Sequence, residues 1–388
     1  MFKMINRYFF LFNVFLCFIT ISIKQSFSEI LDITTPAKQV MIYDHEANEV
    51  LFEKNADDPM KPASMAKVMT AYIVFDRIKD NSLNMLDTFL VSDKAWRMGG
   101  SRSFLELNTN VSIKDLLLGL IVQSGNDAAV VLAEGISGDE EAFAREMNRY
   151  AKIMGMNNTY FTNSTGWPHP DLQTTSRDLV ILTKRIIQDF PILYKLFEEK
   201  IFTYNKIKQS NRNPLLYTMN GADGLKTGHT NESGYGLIGS VNRNNRRVTV
   251  VLNGLNSKKK RTFESKRLFN IVFRETALIS LFNEQNSLVR ANVWLGKQSE
   301  VDLIAKKPFK KIVSPLEFNK TKIKAEWMDP IAAPISKGDV VGSVYISVPG
   351  KKAIKEDLIS AQNINKMSSL VRVKSILKFL LYGDIVDK

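Results

Sequence analysis

Three short polar motifs in the sequence combine residue types that could carry out acyl transfer. The first, Ser64-Met65-Ala66-Lys67, places a hydroxyl and an amine three residues apart, which on a helix is one face. A lysine in an apolar helix near another cation has a depressed pKa, so its neutral amine can take the serine proton and create a nucleophile. The free N–H groups of the first helical turn could stabilise the resulting oxyanion.

The spacing alone does not single out Ser64, because Ser-x-x-Lys also occurs at Ser257/Lys260 and Ser375/Lys378. Only Ser64 lies near the start of a segment, residues 62–75, that is apolar on nearly every face. Such a segment is predicted to be a buried helix. Taken by itself, the motif could still be a capping serine followed by a surface lysine.

Two further triplets change this weighing. Ser124-Gly125-Asn126 follows a predicted apolar helix at residues 113–122, and Lys226-Thr227-Gly228 precedes a predicted hairpin strand. Each triplet is common by chance, but all three motifs in this order and context form a specific signal. Together they resemble the motifs of the penicillin-binding, active-site-serine family.

The resemblance extends beyond the motifs over nearly the whole mature chain. Residues 62–70, 123–128 and 223–230 resemble the low-molecular-mass D-alanyl-D-alanine carboxypeptidases, and so do residues 211–213 and 261–273. The implied fold is α+β, with a β-lactamase/transpeptidase-like domain that has an antiparallel sheet, helices on both faces and a helical subdomain. A small all-β domain and a C-terminal amphipathic helix would follow it.

The resemblance also implies catalytic roles. Ser64 would attack the carbonyl between the two terminal D-alanines of a peptidoglycan muropeptide stem, with Lys67 as general base. Ser124 would relay a proton, and Asn126 would hold either the substrate amide or Lys67. Water would then release the acyl-enzyme and leave a shortened stem.

Substrate binding is assigned by the same resemblance to a second group of residues. Lys226 and Thr227 would bind the substrate carboxylate and keep Lys67 neutral, and Gly228 belongs to their triplet. The backbone N–H groups of Ser64 and His229 would form the oxyanion hole. The remaining two candidates are Arg212 and Arg261, which would assist near the terminal carboxylate. Lone arginines are also common in surface salt bridges, so a structural salt bridge remains the alternative interpretation for both residues.

One loop departs from the pattern of the relatives. Residues 161–175 carry Trp167 where many relatives have leucine, which bears on the edge of the pocket. The same loop contains no glutamate, whereas class A β-lactamases use one to deacylate penicillin. The sequence therefore favours slow penicillin release and inhibition by β-lactams over β-lactamase activity.

The N-terminus predicts export. Lys3 and Arg7 precede an apolar stretch at residues 8–23, and small residues at positions 26 and 28 suit signal-peptide cleavage after Ser28. An uncleaved membrane helix is the alternative, although the stretch is short for a span. Of the 53 basic and 40 acidic residues in the chain, residues 1–28 hold three basic and no acidic ones, so the mature chain would carry +10.

The composition argues against a cofactor or metal site. Cleavage would remove Cys17, the only cysteine, and the three histidines are scattered. The positive charge would suit anionic lipid or wall polymers, and export disfavours nucleic acid. A Lys- and Asn-rich genome would explain the charge equally well.

The predicted domains are a signal peptide (1–28), a catalytic domain (29–283), a β-rich domain (284–362) and a tail (363–388). Residues 258–260 are interpreted as a solvated loop, Ser176 as a helix cap, and residues 261–282 as the closing helix. The tail predicts an amphipathic helix at 368–381 that would lie on the periplasmic face of the inner membrane. Packing on the β domain or on a partner is the alternative.

Two other functions remain open. A DD-endopeptidase would cut peptidoglycan cross-links with the same residues, although such relatives often lack the β domain and tail. A non-catalytic wall or membrane scaffold would retain the fold. Loss of a motif residue would support this reading, and no motif residue is lost here.

Overall fold

A computed structural model describes residues 31–281, 287–307 and 309–383 of the chain. Its first domain is built on a five-stranded antiparallel sheet in the order β2-β1-β9-β8-β7. The strands are β1 (Gln39–Asp44), β2 (Glu49–Lys54), β7 (Ala222–Thr230), β8 (Gly234–Arg243) and β9 (Arg246–Leu255). The first two strands and the last three come from opposite ends of the domain, and together they form the antiparallel sheet that the resemblance implies.

Tight turns fix the register of this sheet. Strands β8 and β9 pair through to Arg243 and Arg246, leaving Asn244 and Asn245 as a two-residue loop. Both asparagines have positive φ, 50° and 59°. Two positive-φ residues are the requirement of a type I′ turn, whose twist matches that of the strands. The predicted hairpin is therefore confirmed.

One face of the sheet is covered by the larger hydrophobic core, in which the apolar sides of most helices meet. These helices are α1 (Lys67–Lys79), α2 (Asp93–Arg97), α3 (Ile113–Leu118), α4 (Asn126–Ser137), α5 (Glu140–Met154) and α6 (Ser176–Asp189). A 3-10 segment at Leu193–Glu198 and the small pairs β3 (Thr88–Leu90) with β4 (Asn110–Ser112) and β5 (Ile201–Tyr204) with β6 (Ile207–Ser210) complete it. The predicted cap of α6 was wrong by one residue: Thr175 accepts the Asp178 N–H.

Helices α7 (Leu215–Thr218) and α8 (Lys258–Glu275) lie on the opposite face of the sheet. Two predictions for this segment were wrong. Residues 258–260 are the first turn of α8, because the Ser257 side chain caps the helix by accepting the Lys260 N–H. The helix ends at Glu275, and Ala277–Leu281 forms strand β10 instead, which pairs with the distant strand β13 (Phe309–Val313).

Over residues 287–307 and 309–366, the second domain is all-β apart from one short helix. It contains a six-stranded sheet in the order β14-β16-β17-β12-β11-β15 around its own core. Its elements are β11 (Val289–Trp294), β12 (Glu300–Ala305), α9 (Pro315–Lys320), β14 (Lys322–Trp327), β15 (Ile331–Ala332), β16 (Val340–Ser347) and β17 (Ile354–Ser360). The predicted α+β class with an appended β domain is thus confirmed. The predicted boundary region, residues 282–286, lies outside the described residues.

Contacts tie the two domains together at their junction. Ile312 of β13 packs into the core that covers the α8 face of the first domain. Buried Arg246 forms an ion pair with Asp44 at 2.6 Å and donates from its Nη atoms to the carbonyl and hydroxyl of Thr276. Thr276 directly precedes β10, so the start of the second domain is fixed to the central sheet.

The tail forms helix α10 (Ser369–Tyr382), as predicted. Phe379 packs edge-on against Trp294 of the β domain. Leu370, Leu380 and Leu381 are instead 87%, 72% and 74% exposed. Of the helices in the described ranges, none combines the length and apolarity needed to cross a bilayer. The predicted signal peptide, residues 1–28, lies outside the described residues.

Candidate active site

The first motif is placed by a change of helix type. A 3-10 turn at Ala63–Ala66 carries Ser64 and leads directly into α1, which begins at Lys67. Lys67 is 1% exposed, and its Nζ donates to Ser64 Oγ at 3.0 Å, to Asn126 Oδ1 at 2.7 Å and to the Thr165 carbonyl at 2.6 Å. The amine is therefore held against the serine by fixed acceptors, and no carboxylate of the described residues forms an ion pair with it.

Burial, and secondarily the positive charge of Arg212, lower the pKa of Lys67 to about 7, although the charges of Asp127 and Glu140 act in the opposite direction. Desolvation penalises the charged amine because water solvates it better than the protein interior does. At neutral pH about half of the Lys67 side chains are then neutral, and a neutral amine can accept a proton.

The second motif enters the site through a π-helical turn, Gly119–Gln123, that ends α3. Ser124 follows in the left-handed conformation, with φ 65° and ψ 34°. Its Oγ is buried, and no described residue hydrogen-bonds to it. Asn126 accepts from Lys67 and donates through Nδ2 to the Gly99 carbonyl at 2.7 Å. Asn126 therefore holds Lys67 in this structure, which was one of its two predicted roles.

The third motif lies on edge strand β7, which packs against the turn that carries Ser64. A Cβ placed at Gly228 would lie 2.7 Å from the Pro62 carbonyl oxygen, so only glycine permits this approach. Thr227 and Gly228 line the same cavity as Ser64. Burial lowers the pKa of Lys226 well below its ordinary value, and the neighbouring charges of Lys67, Arg212 and Arg261 act in the same direction.

The remaining predicted residues close the far side of the cavity. Exposed His229 stacks on Tyr235, with ring centroids 3.9 Å apart, and Arg261 lies over the same tyrosine at 5.8 Å. Partial desolvation and then the Arg261 charge lower the pKa of His229. Arg212 donates to Ser101 Oγ at 2.5 Å. Neither arginine pairs with a carboxylate of the described residues, so the surface salt-bridge reading does not hold for them.

A cavity of about 790 Å³ joins these groups. Eight of the ten predicted residues line it, and the other two bond to lining residues: Lys67 Nζ donates to Ser64 Oγ, and Lys226 Nζ donates to the Thr227 carbonyl at 3.5 Å. The side chains that line it, within the described part of the chain, include three cationic residues and no aspartate or glutamate. The same ranges contain no cluster of His, Cys, Asp or Glu side chains suited to a metal ion.

Sequence reasoning missed the residues that fix the loops around the cavity. Glu140 accepts the Ser164 N–H at 3.2 Å and its hydroxyl at 2.8 Å, while Thr70 Oγ1 donates to the Ser164 carbonyl at 2.7 Å. These bonds position the adjacent Thr165 carbonyl that accepts from Lys67. An acidic residue at the start of α5 carried no signal of this role, because its partner lies 24 residues away.

Asp127 fixes a second loop at the cavity, the one that contains Ser103. It is 2% exposed, and its carboxylate accepts the Ser103 N–H at 2.8 and 2.9 Å. An aspartate directly after Asn126 of the second motif was a usable signal, since a carboxylate buried beside the site needs partners. This loop carries Gly100 and Ser101 into the cavity wall.

Loop 161–175 packs against the nucleophile turn and lines the cavity through residues 165–168. A Cβ at Gly166 would lie 1.8 Å from the Ala63 carbonyl oxygen, and Gly166 has φ +78°. Trp167, the residue that departs from the relatives, is 45% exposed. Its ring packs against Gly100, because a Cβ built on that glycine would lie 3.0 Å from the ring. Its ring therefore forms one edge of the cavity.

Comparison with known proteins agrees with this geometry. Residues 25–256 match the family model for D-alanyl-D-alanine carboxypeptidases, and residues 278–366 match that for the C-terminal domain of penicillin-binding protein 5. The D-alanyl-D-alanine carboxypeptidase DacC of Escherichia coli strain K12 is 35% identical over 345 residues, which cover 87% of this chain and 86% of that one.

A solved structure and a second relative bear on the domain plan. Penicillin-binding protein 5 from Haemophilus influenzae superimposes with a TM-score of 0.70 at 34% identity, covering 86% of this chain and all of that one. The D-alanyl-D-alanine endopeptidase of Escherichia coli strain K12 is 34% identical over 223 residues, only 55% of this chain. By its sequence and by its two-domain fold, the chain belongs to the D-alanyl-D-alanine carboxypeptidase family of serine peptidases.

Proposed function

We propose that this chain removes the terminal D-alanine from peptidoglycan stem peptides through an acyl-enzyme on Ser64. The observation that carries the proposal is the contact of Lys67 Nζ with Ser64 Oγ at 3.0 Å, combined with the lowered pKa of that lysine, about 7. A poised amine beside an otherwise weak nucleophile supplies what attack on an amide requires.

In the first half of the reaction, neutral Lys67 takes the hydroxyl proton as the Ser64 oxygen bonds to the penultimate D-alanine carbonyl. The bond from that carbon to the leaving nitrogen then breaks. A proton passes to the nitrogen through Lys67 and Ser124, whose buried Oγ has no hydrogen-bond partner among the described residues. In the second half, water attacks the ester, and Ser64 regains its proton.

The oxyanion and the terminal carboxylate have separate binding groups in this proposal. The backbone N–H groups of Ser64 and His229 hold the oxyanion, which is supported by the close packing of the Gly228 strand on the Pro62 carbonyl. Thr227, Lys226, Arg212 and Arg261 bind the carboxylate. The two arginines lack carboxylate partners among the described residues, so both are available to pair with the substrate carboxylate.

A DD-endopeptidase is the alternative with the same acyl chemistry. The endopeptidase relative matches only 55% of this chain, whereas the carboxypeptidase DacC matches 87%. This difference in coverage supports carboxypeptidase activity. We further propose export, with signal peptide 1–28, catalytic domain 29–283, β domain 284–362 and tail 363–388. The apolar side chains exposed on α10 support attachment to the periplasmic face of the inner membrane.

The acyl-enzyme is tested by intact-mass spectrometry of the mature protein with benzylpenicillin, beside the Ser64→Ala variant. β-Lactams mimic the stem terminus for this family, so we expect an adduct of one penicillin that is absent from the variant. A Ser257→Ala variant is the matched control, because Ser257 begins another Ser-x-x-Lys sequence but only caps α8. An adduct that persists in Ser64→Ala, or none with the drug left intact, would refute the proposal.

A further inference from the structure

The cavity continues past the residues that would hold the substrate carboxylate. Thr230 and Asn231 line it beyond Thr227, along strand β7 and into the following turn. At roughly 3.3 Å per residue, Thr227 to Thr230 spans about 10 Å. One amino-acid residue spans only about 3.8 Å. A leaving D-alanine would therefore leave this part of the cavity unfilled.

The charge of the cavity also exceeds what one carboxylate can compensate. Its lining includes Arg212, Lys258 and Arg261, and no acidic residue of the described ranges is among the lining residues. Cations gathered in a concave site create a positive potential that concentrates anions. A single terminal carboxylate compensates one of the three charges, which leaves two without a counter-charge.

Lys258 is the lining cation that has no part in binding the terminal carboxylate. It lies three residues before Arg261 on α8, so both side chains project from one face of the helix. Arg261 is 4% exposed and its Nε has no hydrogen-bond partner among the described residues. Lys259 and Lys260 follow Lys258 directly but do not line the cavity.

Two features argue against a merely solvated first turn. Cations at a helix N-terminus oppose the helix dipole, and α8 has no acidic residue in its first turn. The one acidic residue of the adjacent turn, Glu232, lies 3.9 Å from Lys61 and lines a neighbouring cleft with it. Glu232 therefore has a cationic partner other than Lys258.

We infer that this half of the cavity accepts a leaving residue that is longer than alanine and carries a second negative charge, which Lys258 recognises. The inference rests on the proposed carboxypeptidase function and deepens it by naming a substrate class: peptides that end in D-alanine followed by an acidic D-amino acid. The reaction is the same acyl transfer, and the bond that breaks joins the D-alanine carbonyl carbon to the nitrogen of the acidic residue.

The test compares three acetylated peptides that end in D-Ala-D-Ala, D-Ala-D-Glu and D-Ala-D-Gln. Glutamate and glutamine have the same length, so the ratio of their kcat/KM values isolates the second charge. We expect this ratio to be about fivefold in the wild-type protein, the range of one solvent-accessible charge pair. It should fall to about one in Lys258→Gln and stay at about fivefold in the control Lys259→Gln.

The ratio is measured within each variant, so a loss of folded protein cancels out. A wild-type ratio of one or less, or a ratio unchanged in Lys258→Gln, would overturn the inference while D-Ala-D-Ala is still hydrolysed. Failure to hydrolyse D-Ala-D-Ala would instead refute the proposed function and the inference with it.

Discussion

The pH dependence of acylation tests the central claim that Lys67 acts as a neutral base. The pKa of Lys67 is lowered to about 7, chiefly by burial. A base must be unprotonated to accept the Ser64 proton, so the acylation rate should follow the neutral fraction of this side chain. The rate is therefore expected to rise with pH, reach half its maximum near pH 7 and then level off.

The size of the effect separates this lysine from an ordinary one. With a pKa of about 7, the neutral fraction is about 9% at pH 6 and about 91% at pH 8, a rise of about tenfold. A lysine with an unperturbed pKa of about 10.4 would give a rise of about a hundredfold over the same interval and no plateau below pH 9. The assay is the pseudo-first-order rate of labelling by a fluorescent penicillin in stopped flow from pH 5.5 to 9.

His229 is a second group at the cavity whose titration could imitate this profile, because burial and the Arg261 charge lower its pKa from 6.5. A His229→Gln variant is therefore the control, and its midpoint should stay near 7. In Arg212→Gln the midpoint should move upward, because the Arg212 charge lowers the pKa of Lys67. A log-linear rise through pH 9, or a midpoint that disappears with His229, would refute Lys67 as the base.

Two further predictions concern a loop and the tail. Glu140→Ala should lower the free energy of unfolding by about 1–3 kcal/mol, because the Ser164 N–H loses its buried acceptor. Urea denaturation measures this free energy. The control is Glu141→Ala, which removes an exposed side chain and should change the free energy little. The acylation midpoint of Glu140→Ala should also fall below that of the wild type, since Glu140 raises the pKa of Lys67. The double variant Leu377→Glu, Leu380→Glu should no longer sediment with anionic vesicles but should still bind penicillin. Sedimentation equal to that of the wild type would exclude α10 as the anchor.

The parts of the site that the sequence predicted are those whose signal is local. Ser64 and Lys67 are three residues apart, and the apolar segment around them predicted both the helix and the burial that lowers the lysine pKa. The triplets at Ser124 and Lys226 were recognisable because each adjoins a regular element with a clear hydrophobic pattern.

The missed parts depend on contacts between distant residues. The Thr165 carbonyl accepts from Lys67 across 98 residues, and a backbone carbonyl has no sequence signature. The closing helix was predicted too long because residues 277–281 are apolar enough for either state. Strand β10 forms there because strand β13, about thirty residues later, supplies its hydrogen-bond partners.

The packing of Gly166 on the Ala63 carbonyl constrains how this enzyme could evolve. Any side chain at position 166 would collide with the backbone of the nucleophile turn, so that site offers no route to new variants. Its neighbour Trp167 has a half-exposed ring at the edge of the cavity, so we expect a substitution there to change the cavity edge and leave that turn in place. Adaptation to a different stem peptide is therefore open at one residue and closed at the one before it.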